Sequence, residues 1–311
     1  MYFPSLPAPA LVLLLTHTAL AQPSPIPPGA RPVQLAAAGA GEGPAWRDGW
    51  LYFSGEGKIS RWKPGGAGLE VFRDPSGGSN GLRFDPQGRL IACEAGNRRV
   101  TRTELDGTVT VLADRYEGHR FNSPNDLTMD SQGRIYFSDP RYGKRDTMEM
   151  DVEGVYRIDA PGKVVRVLGG EVQRANGVLV APGDKFLYVA DNNNNTAGGA
   201  RKLWRFDLRR DGSAVAASRR LIHDWKDGRG PDGVKMGSSG LLFVAGGLNA
   251  PHPPYETGMM KGGVYILTPA GKLVDFVPVP KDEVTNCAFG GEDGKTLFIT
   301  AGGTLWSVDT K

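Results

Sequence analysis

Six oxygen-bearing side chains recur along the chain, each at the head of a similar stretch of sequence. In most cases glycine follows at once, and then come a polar turn and a hydrophobic strand. The six residues are Glu42, Asn80, Asn125, Asn176, Asp232 and Asn286, separated by 38 to 56 residues. Carboxylate and amide oxygens are the ligands that calcium and magnesium prefer. The six side chains could therefore hold a hard divalent cation if the fold brings them together.

An Asn or Asp followed by Gly is also ordinary turn chemistry, in which the side chain caps its own backbone. Six such residues in register, each with an apolar residue two positions on, are harder to obtain from turns alone. A channel lined by amides and two carboxylates needs a cation or much water to satisfy its polar atoms. We interpret the set as a metal site.

The repeats also predict the fold. Units of 40 to 50 residues with several short strands each are typical of propeller blades, whose first strands line a central channel. The sixth unit ends at Lys311 without an outer strand, and Pro32 to Ala37, just before the first unit, could supply it. We predict an all-β, six-bladed β-propeller over residues 32–311, closed by an N-terminal outer strand on the last blade.

The N-terminus has the pattern of a secretory signal peptide. Residues 8–15 are mostly apolar, and Ala19-Leu20-Ala21 forms a small-x-small cleavage site before Gln22, although no Lys or Arg precedes the apolar run. We predict a signal peptide at residues 1–21, a Pro-rich linker at residues 22–31 and export to the periplasm or the medium, with no membrane contact after cleavage. An uncleaved N-terminal anchor is the alternative.

Composition excludes several function classes. The 37 basic residues are scattered among 34 acidic ones, and without a basic cluster no nucleic-acid partner is expected. Cys93 lies in the second unit and Cys287 in the sixth, and in a closed ring of six the first unit lies between these two. We therefore expect two free thiols and no disulfide. No CxxC motif occurs, which argues against a thiolate metal site.

Five motifs together resemble the gluconolactonase and senescence marker protein (regucalcin) family. They are EGPAW at 42–46, RFNSPND at 120–126, NGV at 176–178, PDGV at 231–234 and TNCAFGG at 285–291. The resemblance runs from about Ala38 to Lys311. It implies a six-bladed propeller and a metal-dependent hydrolase that opens a lactone ring, with a sugar-acid lactone as the preferred small-molecule substrate.

The resemblance also implies roles for individual residues. The family's metal ligands correspond to Glu42, Asn176 and Asp232, and Asn125 contacts either metal or substrate. Oxygen ligands favour calcium, while family members have also been associated with magnesium, zinc or manganese. The metal would act as Lewis acid, Asp232 as ligand and general base, and Asn125 and Asn80, together with Asn286, would bind the substrate or its water.

The sequence departs from the regucalcin branch at one place. That branch has an Arg two residues before its Asn, whereas Ser123 stands there within an inserted SP, as in the bacterial gluconolactonases; Arg120 is close but does not match. We expect substrate choice to differ there. Asp139 and Asp191 each close a second strand and are expected to hold the turn that follows.

Two functions from other classes stay open. A non-catalytic propeller could bind a ligand or protein partner and keep the ion for stability only, because a fold does not determine a function. A quinone-dependent sugar dehydrogenase is less well supported, because the predicted channel lacks the cationic and His groups expected around a quinone acid. The sequence does not indicate an oligomeric state.

Overall fold

The computed structural model describes residues 22–311, which form strands and no helix. The predicted signal peptide lies outside the described residues. The first blade contains β2 (Glu42–Arg47), β3 (Trp50–Gly55), β4 (Lys58–Trp62) and β5 (Glu70–Arg73). The second contains β6 (Ser79–Phe84), β7 (Leu90–Glu94), β8 (Arg99–Thr103) and β9 (Val109–Ala113). A small hairpin of β10 (Arg115–Tyr116) and β11 (His119–Arg120) follows it.

The remaining blades repeat the four-stranded antiparallel pattern. The third contains β12 (Leu127–Met129), β13 (Ile135–Ser138), β14 (Val155–Ala160) and β15 (Lys163–Leu168). The fourth contains β16 (Ala175–Val180), β17 (Phe186–Asn192), β18 (Arg201–Leu208) and β19 (Ala214–Asp224). The fifth contains β20 (Pro231–Met236), β21 (Leu242–Gly246), β22 (Gly263–Leu267) and β23 (Leu273–Pro278). The sixth contains β24 (Val284–Gly290), β25 (Thr296–Ala301) and β26 (Thr304–Asp309).

The N-terminal strand β1 (Val33–Ala36) closes the ring. It pairs antiparallel with β26, with Val33 opposite Ser307 and Gln34 opposite Trp306, so it becomes the outer strand of the sixth blade. The pairing covers the outer edge of β26, which would otherwise be open to pairing with another chain. The prediction of a six-bladed propeller closed in this way is confirmed.

Asp side chains hold the tight turns between the first two strands of a blade. In the SQG turn of the third blade, Asp130 Oδ1 accepts the backbone N–H groups of Gln132 and Arg134, both at 3.0 Å, and Gly133 takes a positive φ of 80°. Asp85 does the same for Gln87 and Arg89 in the second blade. The Asp carboxylate thereby accepts hydrogen bonds from backbone N–H groups that have no backbone partner in the turn. Because the turn is fixed in this way, the register of the first two strands is also fixed.

The hydrophobic core is divided among the seams between blades. Six clusters of buried residues lie in the described part of the chain, and each joins two neighbouring blades. In the seam between the last blade and the first, Phe298 and Leu305 pack on Leu51 and Phe53. The inner strands β2, β6, β12, β16, β20 and β24 contact one another in a closed ring around the channel. Because every seam buries apolar side chains, the position of each inner strand is determined by both neighbours.

The segment before β1 packs against the propeller although it forms no strand. Residues 22–31 form no strand, but Ile26 and Ala30 pack against the core of the fifth and sixth blades, and the backbone N–H of Lys311 donates to Pro25 at 2.8 Å. Cys93 and Cys287 are buried and free, as predicted. No helix in residues 22–311 is long and apolar enough to cross a membrane.

Candidate metal centre and active site

The beginnings of the inner strands meet at one mouth of the channel. There, a cavity of about 250 Å³ is lined by five of the six repeat residues. The five are Glu42, Asn80, Asn125, Asn176 and Asp232. They come from five different blades, so the cavity exists only because the ring closes. The structure thus brings five of the six predicted side chains together.

Glycine follows most of these residues because the neighbouring strand leaves no room for a side chain. A Cβ on Gly81 would lie 2.7 Å from the carbonyl oxygen of Asn125, where real Cβ atoms are essentially never found. A Cβ added to Gly43, Gly177 or Gly233 would overlap an atom of the repeat residue in the next blade. These repeat residues are Asn80, Asp232 and Asn286, respectively. The strands also shift register here, between Ser79 and Leu82 for example. The NG and DG pairs are therefore packing elements of the inner strands, not turn caps.

Within residues 22–311, four oxygen atoms in this cavity have no hydrogen-bond partner. They are Oδ1 of Asn80, Asn125, Asn176 and Asp232, and each is buried. A buried polar atom left without a partner costs about 1–3 kcal/mol, so four in one cavity point to a ligand that satisfies them together. An all-oxygen set with two carboxylates suits a hard divalent cation. The residues present fit the metal ion that the sequence predicts.

Hydrogen bonds on the far side of these groups turn their oxygens inward. Asn176 donates its Nδ2 to the hydroxyl of Tyr142 at 2.9 Å, which leaves its Oδ1 directed to the cavity. Glu42 accepts the backbone N–H of Gly43 at 3.0 Å and the Nδ2 of Asn286 at 3.2 Å, both on Oε2. Such supporting contacts select one rotamer and prepare the oxygens for a ligand.

Asn286 occupies a different place from the other five repeat residues. It is 1% exposed and is not part of the cavity wall, and its Oδ1 accepts the Nζ of Lys235 at 2.9 Å. With its Nδ2 on Glu42, both ends of the amide are engaged by protein groups. Asn286 therefore positions the Glu42 carboxylate from outside the cavity. Its amide has no unpaired atom in the cavity that could bind the substrate, in contrast to the prediction from the sequence.

The cavity carries excess negative charge. Burial, followed by the nearby carboxylates of Asp232 and Asp126, raises the pKa of Glu42 well above its usual value. Burial also raises the pKa of Asp232 to about 7, although the guanidinium of Arg229 opposes the shift. A divalent cation among these groups would lower both pKa values and remove the repulsion between the carboxylates.

Arg229 is a site residue that the repeat pattern did not reveal. Its Nη2 lies 3.4 Å from Oδ2 of Asp232 and 2.9 Å from Oε2 of Glu283, and its side chain is 8% exposed. Arg229 lies three residues before Asp232 in RGPDG, so its proximity to that carboxylate could have been read from the spacing. Tyr142 and Glu283 also line the cavity, but they come from loops without a repeated motif.

The SP insertion, Ser123-Pro124, is held in place by hydrogen bonds to Asp139. The two oxygens of this buried carboxylate each accept a backbone N–H, from Asn122 and from Ser123, both at 2.7 Å. Asp191 accepts the backbone N–H of Arg174 at 2.8 Å in the next blade. Both residues therefore hold the segment that leads into the inner strand, not the turn after their own strand as expected from the sequence.

Arg120 and the histidines near this mouth of the channel lie at the rim or outside the cavity. Arg120 donates to the carbonyl of Asn97 at 3.4 Å, outside the cavity wall. His252, about half exposed, has its Nδ1 3.4 Å from Oε1 of Glu283 at the rim. His223 packs edge-on against the buried Trp225, which closes a seam and does not cover the channel.

Comparisons with known proteins identify the family of this chain. Residues 40–303 match the model of a family described as SMP-30/Gluconolactonase/LRE-like region. A gluconolactonase of Zymomonas mobilis is 31% identical over 301 residues, covering 87% of this chain and 78% of that protein. A 6-deoxy-6-sulfogluconolactonase of Pseudomonas putida is 28% identical, covering 84% of this chain and 82% of that protein.

Solved structures are similar as well. A gluconolactonase from Xanthomonas campestris superposes with a TM-score of 0.77 at 30% sequence identity. The match covers 95% of this chain and 94% of the other. The propeller described above is therefore shared along nearly the full length of both chains.

Proposed function

Because the chain belongs to the SMP-30/gluconolactonase/LRE-like family, we propose that it is a hydrolase that opens the ring of a sugar-acid lactone with the help of one divalent metal ion. The observation that carries the proposal is the set of four unpartnered oxygens from four blades in one cavity. The proposal is supported by relatives named as gluconolactonase and 6-deoxy-6-sulfogluconolactonase.

Glu42, Asn125, Asn176 and Asp232 would hold the metal ion. Calcium suits this all-oxygen set best, and magnesium, zinc or manganese are the other candidates. When bound, the ion supplies a Lewis acid that polarises the lactone carbonyl and stabilises negative charge on its oxygen.

Asp232 is the residue placed to accept a proton from the attacking water. Its Oδ2 contacts Arg229 at 3.4 Å, while its Oδ1 faces the cavity without a partner. Burial without Arg229 would keep this carboxyl protonated, and the guanidinium holds it nearer the charged form that a base requires. A positioned general base typically contributes about 10² to 10⁴ in rate.

The remaining cavity wall is polar and suits a hydroxylated ring. Asn80 offers an unpartnered amide oxygen, and Arg229 and Thr285 also reach the wall. Asn125 is held by its backbone N–H on the carbonyl of Ser138 at 2.9 Å. These groups would bind the hydroxyls of the sugar ring and hold the carbonyl carbon within reach of the water. Ser123, anchored by Asp139, lies two residues from Asn125 and would adjust this fit.

The test is a comparison of sugar lactones with an unsubstituted lactone. Gluconolactone, a five-carbon sugar lactone and an unsubstituted lactone are assayed by proton release, each with the wild type and Asp232→Asn. We expect sugar lactones to be hydrolysed fastest, and Asp232→Asn to retain the fold and lose most turnover. Tight metal binding without hydrolysis of any lactone would contradict the proposal and indicate a non-catalytic binding propeller.

We also propose that the chain is exported and that residues 1–21 are removed. The apolar run at residues 8–15 and the Ala-Leu-Ala site before Gln22 support this proposal. N-terminal sequencing of the protein recovered outside the cytoplasm should begin at Gln22. Recovery of the full chain from the membrane fraction would indicate an uncleaved anchor instead.

A further inference from the structure

Three side chains at the rim of the cavity form a cluster to which the proposed reaction assigns no role. His252 and Glu256 lie on the loop between β21 and β22, and Glu283 directly precedes β24. One nitrogen or oxygen atom from each of the three lies within 4.8 Å of the others. We call these three residues the rim cluster. An imidazole nitrogen beside two carboxylates is a ligand set that suits zinc and similar transition metals, whereas an all-oxygen set suits calcium.

The distances within the rim cluster fit metal ligands better than a direct ion pair. Nδ1 of His252 lies 3.4 Å from Oε1 of Glu283 and 3.6 Å from Oε2 of Glu256. A charge-assisted N–H···O bond would be shorter, about 2.7–2.9 Å. Zinc lies about 2.0–2.1 Å from nitrogen and oxygen ligands, so two corners of its coordination tetrahedron are about 3.3–3.4 Å apart. The observed separations are therefore close to those of a tetrahedral site.

Glu256 supplies a buried carboxylate whose hydrogen-bonding capacity is unused. Its side chain is 5% exposed, and its Oε1 has no hydrogen-bond partner in the part of the chain that the structure describes. That oxygen lies 3.6 Å from Nη1 of Arg229, while Oε2 faces the imidazole of His252 at 3.6 Å. Burial raises the pKa of Glu256; the guanidinium of Arg229 opposes this effect, and the carboxylate of Glu283 adds to it. A carboxylate buried in this way would be stabilised by a cation that it ligates directly.

Hydrogen bonds that involve none of the three side chains hold the rim cluster together. The backbone N–H of His252 donates to the carbonyl of Glu256 at 2.9 Å, and the reverse bond is 3.0 Å long. Asp282, next to Glu283, accepts the backbone N–H of Asn249 on both carboxylate oxygens, at 2.8 and 3.0 Å. The loop is thereby joined to the segment that carries Glu283. The three ligand positions are close without any ion, so metal binding requires little reordering of the backbone.

Arg229 supports both carboxylates from the opposite side. Its Nη2 lies 2.9 Å from Oε2 of Glu283, and its Nη1 lies 3.6 Å from Oε1 of Glu256. Each carboxylate thus directs one oxygen to the guanidinium and the other to His252, an arrangement in which an outer group orients the ligands of a metal. Asp232 also contacts Arg229, so three carboxylates surround one guanidinium. The surplus of negative charge favours a cation.

We propose that the rim cluster binds a second metal ion, of the zinc type, separate from the proposed calcium centre. Nδ1 of His252, Oε2 of Glu256 and Oε1 of Glu283 are its ligands. The fourth position is open to solvent, because the side chain of His252 is about half exposed. The ion joins the loop between β21 and β22 to the start of β24 at the mouth of the channel. The site does not depend on the proposed reaction, since its ligands are distinct from those of the central ion.

The experiment is a calorimetric titration of the full chain with zinc chloride in excess calcium, which competes for the central site. The variants are His252→Asn, which removes the imidazole, and Glu256→Gln, which keeps the shape and removes the charge. His119→Asn is the matched control, because His119 is an exposed histidine far along the chain, on β11. Asn176→Ala is included because zinc bound at the central site would respond to that change. Thermal unfolding of each protein is followed with and without zinc.

We expect the wild type, His119→Asn and Asn176→Ala to bind one equivalent of zinc with the same affinity. His252→Asn and Glu256→Gln should bind it at least as weakly as the loss of a supporting contact predicts, about 10–100-fold. Zinc should raise the melting temperature of the wild type but not that of His252→Asn. If Glu256→Gln does not fold, His252→Asn decides alone, because its side chain is half exposed. Absence of saturable zinc binding, equal binding by His252→Asn, or loss in Asn176→Ala would overturn the proposal.

Discussion

The side-chain amide of Asn286 donates to Oε2 of Glu42 at 3.2 Å and thereby joins the last blade of the propeller to the first, across 244 residues of sequence. This contact lies at the seam that β1 closes, where Thr285 also donates to the carbonyl of Gly41 at 2.7 Å. The geometry of the candidate metal centre therefore depends directly on closure of the ring.

Replacement of Asn286 by Ala should weaken metal binding while the fold is retained. Glu42 would lose the donor that holds its carboxylate, and loss of such a support typically costs about 10–100-fold in metal affinity. The check is a calcium titration of the metal-free variant, with the far-UV spectrum as control for folding. Unchanged affinity would mean that Asn286 does not orient Glu42.

Replacement of Gly177 by Ala should destabilise the protein strongly. The new Cβ would overlap the carbonyl oxygen of Asp232 and lie 3.0 Å from the Cα of Gly233, so two inner strands would have to separate. Overpacking of this kind costs about 1–3 kcal/mol of unfolding free energy. Gly170→Ala is the matched control, because nothing lies within 4 Å of its added Cβ.

The two variants are compared by urea unfolding. Gly170→Ala should remain near the wild type. Equal stability of Gly177→Ala and Gly170→Ala would show that the glycine after each donor is not required by packing.

Replacement of Arg229 by Gln should slow hydrolysis and shift its pH dependence. The guanidinium lowers the pKa of Asp232, so its removal raises that pKa and moves the acid limb of the rate profile to higher pH. We expect kcat to fall about 10- to 100-fold at neutral pH, with partial recovery at higher pH. Arg229→Lys keeps the charge and should move the profile less. An unshifted acid limb in Arg229→Gln would exclude this role.

Asp139 should make stability depend on pH. Burial raises its pKa to about 7 in the folded protein, while in the unfolded chain it titrates near 4. The folded state thus binds the extra proton between these values, and the contribution of this group, complete below pH ~4, is lost as pH rises through ~7.

Asp139→Asn should remove this contribution. The free energy of unfolding of the wild type, measured in buffers from pH 4 to pH 8, should fall by a few kcal/mol more than that of Asp139→Asn. Parallel curves for the two proteins would show that Asp139 does not change its pKa on folding.

The positions of the cavity oxygens could be predicted because ring closure gives equivalent places to equivalent residues. Glu42, Asn80, Asn125, Asn176 and Asp232 share one register on five inner strands, and that register is visible in the sequence. The hydrophobic alternation of the strands likewise sufficed for the blade number and for the closing strand.

Other parts of the site could not be predicted from the sequence. They depend on which side chains form hydrogen bonds with one another and on the conformations of loops. Asn286 has the right register, but Lys235 and Glu42 engage its amide, and no repeat pattern reports that contact. Tyr142 and Glu283 lie on loops whose sequences do not recur in the other repeats. The hairpin of β10 and β11 consists of two-residue strands, too short for a periodic signal.

The central claim is that Glu42, Asn125, Asn176 and Asp232, which line one cavity, bind one metal ion that hydrolysis requires. The most direct measurement is a titration of the metal-free protein with calcium in which binding and gluconolactone hydrolysis are followed in the same samples. We predict no hydrolysis above background without metal, and recovery of full activity at one equivalent of bound calcium or a competing divalent ion. Full activity in the metal-free protein, or metal binding that leaves the rate unchanged, would contradict the account.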